Sequence, residues 1–195
     1  LGLTFEEEEH IYTMNGKTDY PSVSKVLKKF YTEFPTEQAA YKKAKGDPQL
    51  QKELIEEWVA AGLYSTNMGS RVHYELEKEL IERNGSYKEV RQPIFECDNV
   101  QLFKSDNMIC SGKNFLNLME QRGAVLLDTE MVLGDPELGY TGQPDKVWLI
   151  NNLNQDEFGL VITDWKTNKP KNFQETSYTK RLKDPFGKYP DTALG

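Results

Sequence analysis

The sequence predicts an α/β fold, in which a central mixed sheet is flanked by helices. Two short apolar segments, residues 142–150 and 160–165, are separated by a polar loop and predict a β-hairpin. Residues 36–84 contain a helix-start signal and a four-residue apolar stripe, which indicate helices. A chain of 195 residues with 37% hydrophobic and 28% charged side chains is typical of one soluble globular domain. We therefore expect a single domain over residues 1–195.

The N-terminal region predicts a second hairpin. Asn15-Gly16 is a strong two-residue turn, so residues 9–13 and 17–20 are expected to pair. The acids at positions 6–9 are expected to form a solvated strand edge. Ser22 is a good N-cap for a short helix over residues 23–30.

Two helices are predicted between positions 47 and 84. Asp47-Pro48 is typical of a helix start, and Gly62 is the expected end. The next helix, residues 68–84, carries a four-residue apolar stripe formed by Val72, Leu76 and Leu80. His73 and Glu77 lie beside this stripe and share a helix face. From spacing alone they form an ordinary surface pair.

The middle of the chain is expected to contribute core elements. Residues 90–95 predict a strand and residues 105–122 predict an amphipathic helix. Residues 124–133 predict an apolar strand that carries Asp128 and Glu130 on the face opposite Val125, Leu127 and Thr129. A buried carboxylate is costly unless it is paired or binds a metal.

The predicted hairpin at 142–165 brings acids together. If Val147 and Leu149 pair with Ile162 and Leu160, the same register sets Asp145 opposite Asp164, with Cβ atoms about 5 Å apart. Lys166 then shares the face of Asp164, because side chains alternate along a strand. Two carboxylates suit a hard divalent cation such as Mg²⁺, which lowers the pKa of bound water and offsets phosphoryl charge. The alternative is a solvated Asp–Lys pair at a strand end.

At this point the chain resembles a known family. Gly142-Gln143-Pro144-Asp145 followed by Asp164-Trp165-Lys166-Thr167 resembles the PD-(D/E)XK nuclease signature. The form is similar to that of phage RecB-like exonucleases and the mitochondrial genome maintenance exonuclease. The Pro-Ser-Val-Ser segment at 21–24 also resembles the opening of the phage enzymes. This resemblance implies a restriction-endonuclease-like core.

The resemblance also implies a set of site residues. The Gly-x-x-x-His pattern that ends at His73 matches a family helix whose His completes the metal site, so His73, Asp145 and Asp164 are expected to bind Mg²⁺ or Mn²⁺. Glu130 fits the family's additional acid, and Asp145, Asp164, Lys166 and Glu130 are the expected catalytic set. Gln174 and Tyr178 have the spacing of a later family helix, but nearby prolines indicate a chance match. The family helix is expected beyond residue 195.

Composition limits the function classes. A net charge of −7 argues against a protein that coats nucleic acid non-specifically. The sequence shows no membrane span or signal peptide, and its two cysteines predict free thiols, so an intracellular, cytoplasmic protein is expected, in the host cytoplasm if it is phage-encoded.

The resulting functional hypothesis is a metal-dependent DNA exonuclease that acts on linear or single-stranded ends in recombination, repair or replication, with a possible partner protein from those processes. Two alternatives stay open. One is a PD-(D/E)XK endonuclease. The other is a non-catalytic nuclease-like subunit that binds DNA or protein.

Overall fold

The structure is a computed structural model that describes residues 2–6, 8–31, 33–85, 88–152, 157–167 and 181–188. The chain divides into two compact units. We call Leu1–Thr32 with Glu120–Gly195 the strand unit, and Glu33–Met119 the helical unit. The predicted match at Gln174 and Tyr178 lies outside the described residues. The single nuclease domain stays a prediction.

The strand unit begins with an antiparallel pair, β1 (Leu3–Glu6) and β2 (Ile11–Met14). Asn15 and Gly16 both have positive φ, and Met14 and Lys17 exchange two backbone hydrogen bonds of 2.9 and 3.1 Å, so the predicted turn is confirmed. The predicted strand over 17–20 is wrong, because only Lys17 forms an isolated bridge. Residues of β1 supply better apolar partners: the Phe5 and Tyr12 rings stack 4.5 Å apart.

Helix α1 (Val23–Leu27) follows directly. Ser22 caps it as predicted, since its Oγ accepts a hydrogen bond of 3.2 Å from the Lys25 N–H. The helix ends earlier than residue 30, and residues 28–30 form a turn. The Thr141 N–H donates to the Pro21 carbonyl at 3.0 Å, which ties the start of this helix to a later strand.

The helical unit contains α2 (Thr36–Ala44), α3 (Pro48–Asn84) and most of α4 (Asn99–Gln121). Asp47 caps α3 as predicted, accepting from Gln49 N at 2.9 Å and Leu50 N at 3.2 Å. The predicted end at Gly62 is wrong, because α3 is one continuous helix of 37 residues that includes Gly62. A glycine inside a helix costs about 1 kcal/mol, which a long hydrogen-bond ladder tolerates. The last helical residue is instead Asn84, and Gly85 follows as the C-cap with a φ of 61° that suits glycine.

Apolar packing within the helical unit follows the predicted stripe. Val72, Leu76 and Leu80 are all buried. Gly112 of α4 lies so close to Leu76 that a Cβ there would be 2.5 Å from the Leu76 Cδ1 atom. Residues 90–95, which were predicted as a strand, are described without regular secondary structure. Cys97 and Cys110 are both free, as predicted.

The remaining strands belong to the strand unit, and their bounds are as follows: β3 (Val125–Thr129), β4 (Leu133–Asp135), β5 (Tyr140–Gly142), β6 (Lys146–Asn152) and β7 (Glu157–Thr163). Strands β3, β6 and β7 form one antiparallel sheet in that order, and β4 pairs with β5. A combination of helices and strands is therefore confirmed. The described strands form three small antiparallel sheets, of two, three and two strands, where the sequence predicted one central mixed sheet.

The predicted strand over 142–150 is split in two. Gly142 ends β5 in one sheet, and β6 of another sheet begins only at Lys146. Pro144 has no N–H to donate to a strand ladder, which explains an interruption at this point. None of the helices in the described ranges is both long and apolar enough to cross a membrane.

Candidate functional site

The 146–163 hairpin has the register that the sequence predicted. Val147 pairs with Ile162 and Leu149 pairs with Leu160. The last pair at the open end is Lys146 with Thr163. Asp145 therefore comes directly before the ladder on one strand, and Asp164 directly after it on the other.

A hydrogen bond closes the open end of this hairpin. The Trp165 N–H donates to Oδ2 of Asp145 at 2.5 Å. This bond joins the residue after Asp164 to the carboxylate of Asp145, so the two predicted acids lie on neighbouring segments. The local folding reason is the pairing of two short apolar runs, residues 147–150 and 160–162, in which a slip of one residue would move every side chain to the other face.

Lys146 is a site residue that the sequence reasoning missed. Its side chain is only 1% exposed, and its Nζ lies 3.6 Å from Oδ2 of Asp145 and 3.9 Å from the centre of the Trp165 ring. In the described part of the chain, this Nζ is buried without a hydrogen-bond partner. The available signal was a lysine two residues from Trp148 in an apolar strand, which places both side chains on one face.

Burial lowers the pKa of Lys146 to about 8, because the charged form is poorly solvated. Three carboxylates act in the opposite direction and favour the charged form: Asp145, then Asp164, then Glu130. All three acids that the sequence assigned to the catalytic set therefore raise the pKa of Lys146. Each of these three carboxylates acts on the charge of Lys146, and we call Asp145, Asp164 and Glu130 the acid cluster below.

Lys166 contacts Oδ2 of Asp164, which agrees with the predicted shared face. Both side chains are open to solvent, at 55% for Lys166 and 42% for Asp164. Such an exposed ion pair contributes little to stability, about 0–1 kcal/mol. The contact is compatible with a catalytic lysine and with the alternative of a solvated pair.

Glu130 follows β3 directly and has a positive φ of 48°. Its N–H donates to the Asp145 carbonyl at 3.0 Å, and its own carbonyl accepts from Nε2 of Gln143 at 3.1 Å. Its carboxylate also contributes, after burial, to raising the pKa of Tyr12. The Glu130 backbone is therefore bonded to Asp145, and its carboxylate acts on Tyr12.

The predicted assignment of side chains to the two faces of the strand over 124–133 is wrong. The register of β3 against β6 shifts between Leu126 and Asp128, which is a β-bulge. As a result Thr129 is buried, whereas Val125 and Leu127 are 56% and 46% exposed. Asp128 turns its carboxylate to its own backbone, where Oδ1 accepts from the Thr129 N–H at 2.8 Å.

His73 lies on α3 in the helical unit, whereas the acid cluster belongs to the strand unit. Among the residues that the structure describes, no three His, Cys, Asp or Glu side chains are grouped closely enough to hold a metal ion. The carboxylate oxygens of the acid cluster are nevertheless the donor type that Mg²⁺ and Mn²⁺ prefer. The metal ligands stay a prediction.

We compared the chain with known proteins. No family model, no curated protein and no solved structure matches it.

Proposed function

We propose that the chain is a metal-dependent deoxyribonuclease with a PD-(D/E)XK core that hydrolyses phosphodiester bonds from DNA ends. One observation carries this proposal: the hydrogen bond from Trp165 to Asp145, which brings Asp145 and Asp164 together at the open end of the hairpin. This bond joins Asp145, the last residue of the 142–145 motif, to Trp165 of the 164–167 motif. Two neighbouring carboxylates followed by an accessible lysine match the chemistry of phosphodiester hydrolysis.

Each proposed residue has a separate role. Asp145 and Asp164 hold the cation with their carboxylates, and His73 is the ligand that the family pattern adds. A bound Mg²⁺ or Mn²⁺ ion supplies Lewis acidity at the phosphoryl group. The exposed ammonium of Lys166 can approach the phosphate or the attacking water from solvent. Glu130, whose backbone N–H donates to the Asp145 carbonyl, adds a carboxylate that can accept a proton.

Action from DNA ends is the finer part of the proposal. It is supported by the segment at 21–24 and the pattern that ends at His73, which resemble the exonuclease branch. A sequence-specific endonuclease reads base edges in the major groove, often with Arg or Asn. The five arginines of this chain are scattered along the sequence: Arg71, Arg83, Arg91, Arg122 and Arg181.

The test is cleavage of end-labelled linear DNA by the purified protein, with Mg²⁺ and with EDTA. Asp145→Asn and Asp164→Asn keep the side-chain size but remove charge, so cleavage should fall about 100-fold or more. An Asn oxygen can still accept the Trp165 hydrogen bond, but Asp145→Asn also removes the ion pair with the buried Lys146, so folding of each variant is measured by circular dichroism beside cleavage. Asp19→Asn is the matched control, because Asp19 is an exposed acid of the same unit.

Two results would contradict the proposal. Undiminished cleavage by Asp164→Asn would remove Asp164 from the mechanism. Retained DNA binding without any cleavage in Mg²⁺ or Mn²⁺ would favour the non-catalytic subunit, an alternative that the exposed Asp164–Lys166 pair also allows.

A further inference from the structure

A cavity of about 720 Å³ lies within the strand unit. Residues of β2, α1, β4 and β5 line it, together with Glu130, Gln143 and Pro144. Cavities of about 300–1,000 Å³ are typical of sites for small organic ligands. Neither the proposed metal ligands nor Lys166 line this cavity.

The cavity adjoins the acid cluster. Glu130 lines it, and the Glu130 N–H donates to the Asp145 carbonyl at 3.0 Å. Gln143 also lines it and is held by the bond from its Nε2 to the Glu130 carbonyl. A group inside the cavity would therefore lie next to the backbone of Asp145.

The lining chemistry favours an uncharged, flat ligand. Among the described residues, no Lys or Arg lines the cavity, whereas Glu130 and Asp135 do. Phosphate is disfavoured next to two carboxylates, but the N–H donors of a nucleobase are suited to carboxylate oxygens. Oδ1 of Asp135 already accepts from the Glu137 and Leu138 N–H groups, which leaves its Oδ2 and the Glu130 carboxylate for this role. Most of the remaining lining is apolar or aromatic, which suits the faces of a base.

Two exposed rings belong to this lining. Tyr140 is 37% exposed on β5. His10 is exposed next to β2, and its ring lies edge-on to Phe5 and Tyr12, with centroids 5.1 and 5.6 Å away. Aromatic side chains of this kind hold bases of single-stranded DNA by stacking, with little dependence on sequence.

We propose that this cavity is a subsite for one unstacked nucleobase of the DNA strand that is cut. The inference rests on the proposed function, because the acid cluster is taken to hold the neighbouring phosphodiester. The base enters the cavity against His10 and Tyr140, while its phosphate stays outside with the cation and Lys166. Such a subsite favours a base from a single strand or from the unpaired end of a duplex, since a paired base cannot leave its stack without cost.

The experiment uses a set of single-stranded oligonucleotides, each with 2-aminopurine at a different distance from the end. The full chain is mixed with them in Ca²⁺, so that binding is measured apart from cleavage. Wild-type protein should change the 2-aminopurine fluorescence strongly at one position. An abasic site at that position should weaken binding about 10-fold, the range expected for one lost stacking contact.

Tyr140→Ala and His10→Asn should lose the position-specific signal and raise KM about 10-fold in the cleavage assay, with little change in kcat. Asn is chosen at position 10 because it tolerates the positive φ of 55° found there. Tyr31→Ala is the matched control, since Tyr31 has nearly the same exposed fraction, 39%, in the same unit but does not line the cavity.

The two proposals fail in different ways. Cleavage with a fluorescence signal that is the same at every position, or that is equally strong in Tyr140→Ala and Tyr31→Ala, would overturn the base subsite and leave the nuclease intact. A position-specific signal without cleavage would overturn the nuclease and leave the subsite. Absence of DNA binding would overturn the subsite.

Discussion

Replacing the buried Lys146 by Met tests the electrostatics of the acid cluster in metal-free protein. Burial lowers the pKa of Lys146 from 10.5 to about 8. A pKa lowered by about 2.5 corresponds to a destabilisation of about 3 kcal/mol at neutral pH. The unfolded chain binds more protons than the folded chain between pH 8 and 10.5, so the free energy of unfolding rises with pH across that window.

The assay is urea unfolding in EDTA at about pH 7.5 and about pH 9.5, between which linkage predicts a rise of about 2 kcal/mol for Lys146 alone. Lys146→Met should lack this rise, because Met carries no proton. The difference between the two proteins removes the contribution of other titrating groups. The upper pH is kept below 10, because the raised pKa of Tyr12 makes stability fall when tyrosines ionise in the unfolded chain.

Lys25→Met is the matched control, since Lys25 is 69% exposed in the same unit. It should keep the wild-type dependence on pH. Equal pH dependence in wild type and Lys146→Met would refute the reasoning, because the buried ammonium would then carry no lowered pKa. A lower stability of Lys146→Met at every pH would not refute the reasoning, since such a uniform loss reports the missing contact with Asp145.

Three further outcomes are expected. Gly112→Ala should destabilise the protein by about 1–3 kcal/mol in urea, because the added Cβ would overlap the buried Leu76. Gly62→Ala should stabilise it by about 0.5–1 kcal/mol, because a Cβ added there would meet nothing within 4 Å beyond its own helix backbone. His73→Ala should weaken Mn²⁺ binding in calorimetry, and an unchanged isotherm would return His73 to the surface-pair interpretation. Linearised plasmid should be degraded progressively while the closed form persists, and discrete early bands from the closed form would favour an endonuclease.

The hairpin of the proposed site could be predicted because its signals are local. Two short apolar runs pair Val147 with Ile162, and a slip of one residue would exchange the two faces. The caps at Ser22 and Asp47 were also predictable, since each depends on a side chain and an N–H two or three residues away. In these cases neighbouring residues determine the geometry.

The features that the sequence did not predict depend on distant partners. Residues 3–6 pair with residues 11–14, where the Phe5 and Tyr12 rings stack. The turn signal at Asn15-Gly16 cannot predict this pairing, because it concerns only the residues beside the turn. The bulge after Leu126 appears only when β3 is aligned with β6. From its neighbours alone Gly62 predicts a helix end, but the backbone hydrogen bonds of α3 continue past it.

Lys146 shows the same limit within the proposed site. A lysine in a strand is most often placed in solvent, because burial of an unpaired ammonium is costly. Here the preceding residue Asp145 and the distant Trp165 lie against it, and the contact with Trp165 arises from the closure of the hairpin rather than from the sequence next to Lys146. Only the folded arrangement brings this lysine under the influence of the Asp164 and Glu130 charges as well.

The two lysines of the proposed site therefore have different consequences for a cation. The Asp164–Lys166 pair is exposed, so a divalent ion can replace its ammonium at a cost of about 0–1 kcal/mol. The Lys146 ammonium is buried, and it lies next to Asp145 and against the Trp165 ring. Its charge reduces the repulsion among the three acids when no cation is present, and the same charge opposes a cation that binds. Asp164 is then the carboxylate open to an incoming ion, whereas Asp145 is held in place by Trp165 and Lys146.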